Sequence, residues 1–198
     1  LLDKLGRLQA VAWPSSREVR IGDHLLGPGQ PVFVVAEIGN NHNGSLDAAR
    51  RLVDAAADAG VDAVKFQMRD LASLYVNGGD ATDQAADVGE QYTLDLLARF
   101  QLGDDDLFRV FDHCRDRGVL PLCTPWDLHS LDRLETVDLP AYKIASADLT
   151  NHELIEAACG TVRPLVLSTG MSTEDEIVET VHLLQGRGAP FAVLHCNS

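Results

Sequence analysis

Six times along this chain a short apolar run closes on a polar side chain. The runs are VVAE, VDAVKFQM, VLPLCTP, AYKIAS, PLVLSTG and FAVLHCNS. Each has the length of a buried strand, and the stretches between them have the spacing of amphipathic helices. Strands that alternate with helices pair in parallel, because a crossover long enough to contain a helix returns the chain to the same end of the sheet. The pattern therefore predicts an α/β fold.

The helices are predicted from their own signals. Ser45 caps a helix whose face is Leu46, Ala49, Leu52, Val53 and Ala56 and whose end is Gly60. Further helices are expected over Asp104–Gly118, Leu128–Val137 and Asn151–Cys159, and from a Ser172 cap through Leu184. Glu174, Asp175 and Glu176 fall in the first turn of the last one, where the helix dipole favours acids. Residues 18–35 read as a small hairpin, with turns at Gly22-Asp23 and Gly27-Pro28-Gly29, feeding a short buried strand that delivers Glu37 to its tip. Residues 1–16 read as an N-terminal extension or linker, and residues 17–198 as one barrel domain. The Gly- and Asp-rich connection from Arg69 to Leu102 is long enough to cover a pocket above Lys65.

No GxGxxG follows the first strand and no Walker sequence occurs, so dinucleotide-binding and P-loop folds are disfavoured. The polar strand ends decide between the remaining α/β architectures. Glu37, Lys65 with Gln67, Thr124, Lys143 with Ser146, Ser168 with Thr169, and His195 with Asn197 close the successive strands. In a (β/α)8 TIM barrel such residues converge at the C-terminal mouth, whereas an open sheet scatters them along an edge. About six of the eight βα units are expected in this chain, which reads as C-terminally incomplete. It also begins with Leu, so a native start is expected upstream.

Composition narrows the partners. A net charge of −14 argues against nucleic acid or an anionic membrane surface, both of which need clustered Lys and Arg. No apolar stretch is long enough for a membrane span and no signal peptide opens the chain, so a cytoplasmic protein is expected. Cys114, Cys123, Cys159 and Cys196 form no CxxC pair and are expected to be buried thiols in a reducing compartment. Only three of the sixteen basic residues are lysines, and two of these, Lys65 and Lys143, sit inside apolar strands. A desolvated lysine is costly and needs a partner or a task. Two lysines, several hydroxyls and an amide around one carboxylate suit a small ligand bearing phosphate or carboxylate. The Ser168-Thr169-Gly170 turn adds backbone N–H groups near a helix start. Glu37 among cations is placed to take or relay a proton. His42 and His195 stand on separate elements and fall short of a metal site.

VVAEIGNNHNG, AVKFQ, the CTPWD run, AYKIASADLTN, VLSTGMST and LHCNS, in this order and spacing, resemble the sialic acid synthase family from about Val19 onward. The resemblance implies a transferase that condenses phosphoenolpyruvate with an N-acylated amino sugar, N-acetylmannosamine or a relative, to give a sialic or other nonulosonic acid. Carried over residue by residue, it implies phosphoenolpyruvate contacts at Lys65, Gln67, Thr124, Lys143, Ser146, Ser168 and Ser198. Glu37 falls beside the reacting centre, and Asp148 on an acid that contacts the sugar. It further implies a divalent metal, Mn or Mg, held by two histidines expected beyond Ser198, an antifreeze-like C-terminal domain and a homodimer. On that ground the chain alone is expected to be inactive. Ala147 and Asn197 depart from the residues usual there, Gly and Thr. Two rivals remain: a Schiff-base aldolase or lyase with Lys65 or Lys143 as the amine, and a non-catalytic barrel module.

Overall fold

A computed structural model describes residues 18–74 and 96–197. Within that span the apolar runs become strands and the amphipathic stretches become helices. The elements are β1 (Val19–Ile21), β2 (His24–Leu26), β3 (Val35–Gly39), α1 (Leu46–Asp58), β4 (Ala63–Met68), α2 (Asp104–Asp116) and β5 (Leu120–Pro125). They continue with α3 (Leu128–Leu134), β6 (Tyr142–Ile144), α4 (His152–Gly160), β7 (Leu165–Ser168), α5 (Glu174–Arg187) and β8 (Phe191–Leu194). Strands β1 and β2 form the expected antiparallel hairpin, with Ile21 opposite His24 across a turn at Gly22-Asp23. The remaining strands form one six-stranded sheet in the order β3-β4-β5-β6-β7-β8. The register shows parallel pairing at β3–β4 and from β5 through β8. An order that rises by one at every step is the connectivity of a singly wound barrel; a doubly wound sheet reverses it partway.

The described residues fall into two compact units. One takes residues 34–74, 96–121 and 125–137. Its core is Ala49, Val53 and Ala56 of α1 with Leu107, Val110 and Phe111 of α2, the two helices packing on each other. Phe66 of β4 meets Phe111 edge to face at 6.0 Å. The outer faces of α1 and α2 are joined by Asp54, which accepts from His113 at 2.8 Å and from Arg117 at 2.5 Å. The other unit takes residues 18–33, 122–124 and 138–197. There α4 and α5 pack through Leu154, Ile155 and Ala158 and through Thr180, Val181 and Leu184. The Thr180 hydroxyl is buried and donates to the Leu149 carbonyl at 2.7 Å.

Ser45 caps α1 as expected, accepting from the Ala48 N–H. The cap of α5 differs: it is Thr173, not Ser172. A capping box needs Glu or Gln three residues after the cap, and Thr173 finds Glu176, whereas Ser172 would find the shorter Asp175. Helix α3 also stops at Leu134, short of Val137. The chain leaves it through tight bonds, Thr136 N–H to Arg133 and Val137 N–H to Leu134. Nor is β3 buried along its length: it stands at one end of the strand order, and Val34 and Val35 are exposed. Residues 1–16 and most of the 69–102 connection, including its expected lid, lie outside the described residues.

Candidate functional site

Strands β3 and β4 pair so that Glu37 lies opposite Lys65. Cross-strand partners share a face, and the Glu37 carboxylate meets the Lys65 ammonium at 2.7 Å. Lys65 is buried, with a side chain 6 % exposed, while Glu37 reaches water at 60 %. The burial that makes a lone lysine costly is offset by this ion pair and by the solvent at its outer edge. One residue further the ladder slips: Gly39, not Ile38, is the partner of Phe66, a β-bulge that ends regular pairing just past the acid.

The bulge requires glycine. Gly39 has φ +52°, and a Cβ there would stand 3.1 Å from Glu37 Oε1 and 3.3 Å from Gln67 Nε2. These distances place the carboxylate and the carboxamide together over the bare Gly39, around the point where a Cβ would stand. Gln67 Oε1 in turn accepts from the Arg69 guanidinium, which lies over the Trp126 ring at 4.3 Å. The following loop is held by His42, a buried imidazole whose Nδ1 accepts from the Gly44 N–H at 3.1 Å and which also bonds the Gly39 backbone. Burial holds its pKa below the ordinary histidine value. His42 is thus a structural clasp of the NNHNG loop.

In the other unit Lys143, near the end of β6, donates to the Ile144 carbonyl at 2.6 Å and to Ser168 Oγ, on β7, at 2.6 Å. Ser146 opens the 3₁₀ turn Ser146–Asp148, and its hydroxyl accepts from the Gly170 N–H at 3.0 Å. Asp148 is buried, with Oδ1 accepting from Asn151 Nδ2 at 3.3 Å. Thr169 Oγ1 donates to the Leu194 carbonyl at 2.9 Å. Thr124 on β5 is 1 % exposed, and its hydroxyl has no hydrogen-bond partner among the described residues. A buried hydroxyl left unpaired costs about 1–3 kcal/mol, which a bound acceptor would offset. His195 is exposed, and Ser198 lies outside the described residues.

Two sets of expected residues are therefore each brought together: Glu37, Lys65 and Gln67 in one unit, Lys143 and Ser168 in the other. The sequence singled out neither Arg69 nor the glycine requirement at position 39. Gly39 carried a usable signal, a glycine directly after a strand-end acid; Arg69 reads as an ordinary loop residue. Cys114 is buried in α2 with its pKa pushed up to about 12, an inert thiol, while Cys159 and Cys196 are only half-buried. No group of three or more His, Cys, Asp or Glu among the described residues could hold a metal ion, so the described residues do not fit a divalent cation.

Ammonium, carboxamide and hydroxyl groups thus stand at or near the ends of sequentially ordered parallel strands, the arrangement of a barrel-type α/β fold. The chain belongs to the NeuB family, whose family model matches residues 52–198. It is 32 % identical over 179 residues to the spore coat polysaccharide biosynthesis protein SpsE of Bacillus subtilis, covering 89 % of this chain and 48 % of that protein. It is 31 % identical over 171 residues to the N,N'-diacetyllegionaminic acid synthase of Campylobacter jejuni, covering 84 % of this chain and 51 % of that protein. The crystal structure of N-acetylneuraminic acid (sialic acid) synthetase from Leptospira borgpetersenii in complex with citrate superposes with a TM-score of 0.82 at 30 % identity. That match covers 92 % of this chain and 60 % of the other. The chain spans about half the length of the curated relatives it matches. No described helix is long and apolar enough to cross a membrane.

Proposed function

We propose that this chain carries the phosphoenolpyruvate-binding part of a nonulosonic acid synthase, within a (β/α)8 barrel that in the whole protein closes with two further strands. The exposed apolar residues Val34 and Val35 at β3 and Leu194 on β8, the two ends of the strand order, support that closure. The observation that carries the functional reading is the buried Lys65 ammonium paired with Glu37 beside the Gln67 carboxamide. A buried cation flanked by a hydrogen-bond donor is what a small polyanion requires. The citrate bound to the Leptospira relative is such an anion.

In this reading Lys65 and Lys143 hold the phosphate and carboxylate of phosphoenolpyruvate, and Gln67, Thr124, Ser146, Ser168 and Ser198 direct hydrogen bonds at its oxygens. The C3 carbon of phosphoenolpyruvate attacks the aldehyde carbon of the open-chain amino sugar, forming the C–C bond, and the aldehyde oxygen takes a proton. Water adds at C2, and the C2–O bond breaks to release inorganic phosphate and leave the keto acid. Glu37, in contact with Lys65 and open to solvent on one side, relays protons at this centre. Asp148 accepts from a sugar hydroxyl. The lysines stay charged throughout and stabilise the negative charge that develops on the enol and phosphate oxygens. A divalent metal and a homodimer belong to the same proposal for the complete protein.

The test is phosphate release by the full-length protein with phosphoenolpyruvate, Mn²⁺ and N-acetylmannosamine, repeated with Lys65→Ala. Release that needs both substrates and drops by about a hundredfold or more in the variant is the expected outcome, since the lost contact is an ionic hydrogen bond worth several kcal/mol in a buried site. No release with any N-acyl amino sugar would overturn the reading.

A further inference from the structure

Gln67 is useful to an anion only through its N–H groups, because its carbonyl oxygen would repel. Which end faces a ligand is set by the group that holds the other end. Arginine carries donors and no acceptor, so the amide atom facing Arg69 is Oε1, and Nε2 turns to the opposite side. There it shares the space over the bare Gly39 with Glu37 Oε1, each within 3.3 Å of where a Cβ would stand.

Arg69 is itself fixed at several points. Its guanidinium lies on the Trp126 ring, and its backbone carbonyl accepts from Gln101 Nε2 at 2.7 Å. The next residue, Asp70, donates its N–H to Asp127 Oδ2 at 2.8 Å, and Asp127 is the N-cap of α3. The Trp126 backbone N–H donates to the Met68 carbonyl at 3.1 Å, tying the platform to the end of β4. A planar guanidinium stacked on an aromatic ring is pre-organised and loses little freedom in making its hydrogen bond.

We propose that Arg69 is a positioning residue for anion binding: held flat on Trp126 and donating to Gln67 Oε1, it locks the carboxamide so that its N–H groups face the ligand beside Lys65. The proposal rests on the reading that phosphoenolpyruvate binds at Lys65 and Gln67. It assigns the Arg69–Trp126 pair a task that acts wholly through another side chain. That distinguishes it from an arginine contributing charge at long range.

The experiment is calorimetric titration of the full-length protein with phosphoenolpyruvate, using Lys65→Ala, Gln67→Ala, Arg69→Ala and the double variant Gln67→Ala/Arg69→Ala, with melting curves alongside. Arg69→Met, which keeps an apolar stem without the donors, replaces Arg69→Ala if that protein does not fold. Gln67→Ala and Arg69→Ala are each expected to weaken binding by about tenfold. The double variant is expected to bind no more weakly than Gln67→Ala, since a lock has nothing left to hold. Losses that add, or unchanged binding in Arg69→Ala while Gln67→Ala is impaired, would overturn the role of Arg69 and leave the binding site standing. Unchanged binding in both Lys65→Ala and Gln67→Ala would overturn the site itself.

Discussion

His42 shows how much a single side chain of the NNHNG loop decides. Its ring packs on Phe66 at 6.2 Å, and its nitrogens reach the backbone at Gly39 and Gly44, so it ties the bulge behind Glu37 to the start of α1. As an acceptor of the Gly44 N–H, Nδ1 must be unprotonated, which fits the lowered pKa that burial imposes. The sign of the pH dependence follows. Below the unfolded value of about 6.5 the unfolded chain takes up a proton that the folded protein resists, so the unfolded state binds more protons and stability falls. The contribution is complete above that value and is lost as pH drops through it toward the lower folded pKa. The melting temperature is expected to fall between pH 7.5 and pH 5.5. In His42→Asn, which keeps a short acceptor for the Gly44 N–H and cannot titrate, that dependence should flatten; scanning calorimetry over the pH series checks it. The loop was legible as a polar connection that His42 could orient, but the burial of that histidine was not, because a histidine in a loop reads the same whether it is buried or free. Burial here comes from tertiary packing on Phe66.

At the level of elements, the cap of α5 separates two neighbouring hydroxyls that the sequence places almost equally well. Thr173 Oγ1 accepts from the Glu176 N–H at 3.3 Å while Glu176 Oε2 accepts from the Thr173 N–H at 2.6 Å. Those backbone and hydroxyl bonds hold the Glu176 carboxyl below the ordinary glutamate range. Among the described residues Ser172 Oγ reaches only the Gly170 carbonyl, at 3.3 Å. Thr173→Ala should therefore cost about 1 kcal/mol, and Ser172→Ala a few tenths at most, as read from urea midpoints at constant slope. Equal losses would mean that the box does not form. The six strands and five principal helices were legible because period 2 and period 3.6 patterns were both strong and punctuated by glycine, as at Gly60 and Gly118, both with positive φ. The exposure of β3 was not legible, since an apolar strand at the end of a sheet and one in its middle share a pattern. The bulge after Glu37 escaped too, because a one-residue slip leaves composition unchanged.

On the scale of the whole molecule, the strand order is what the sequence read most securely, because a chain of βα units with no sign of reversal has few ways to wind. The division into two compact units was not visible, as contacts at long sequence separation leave no local trace. The same scale bears on the proposed chemistry. A Schiff-base aldolase needs one lysine held neutral with its lone pair free to attack a carbonyl. Here both strand lysines act as donors. Lys143 gives hydrogen bonds to a carbonyl and a hydroxyl, and Lys65 faces a carboxylate at 2.7 Å. An amine committed to a carboxylate contact is placed to hold an anion and is not free to attack a carbonyl. Borohydride reduction of the full-length protein in the presence of pyruvate, followed by peptide mass spectrometry, should therefore leave Lys65 and Lys143 unmodified. A reduced adduct on either lysine would place the protein among the aldolases, because only a neutral amine condenses with the keto group to form the imine that borohydride traps.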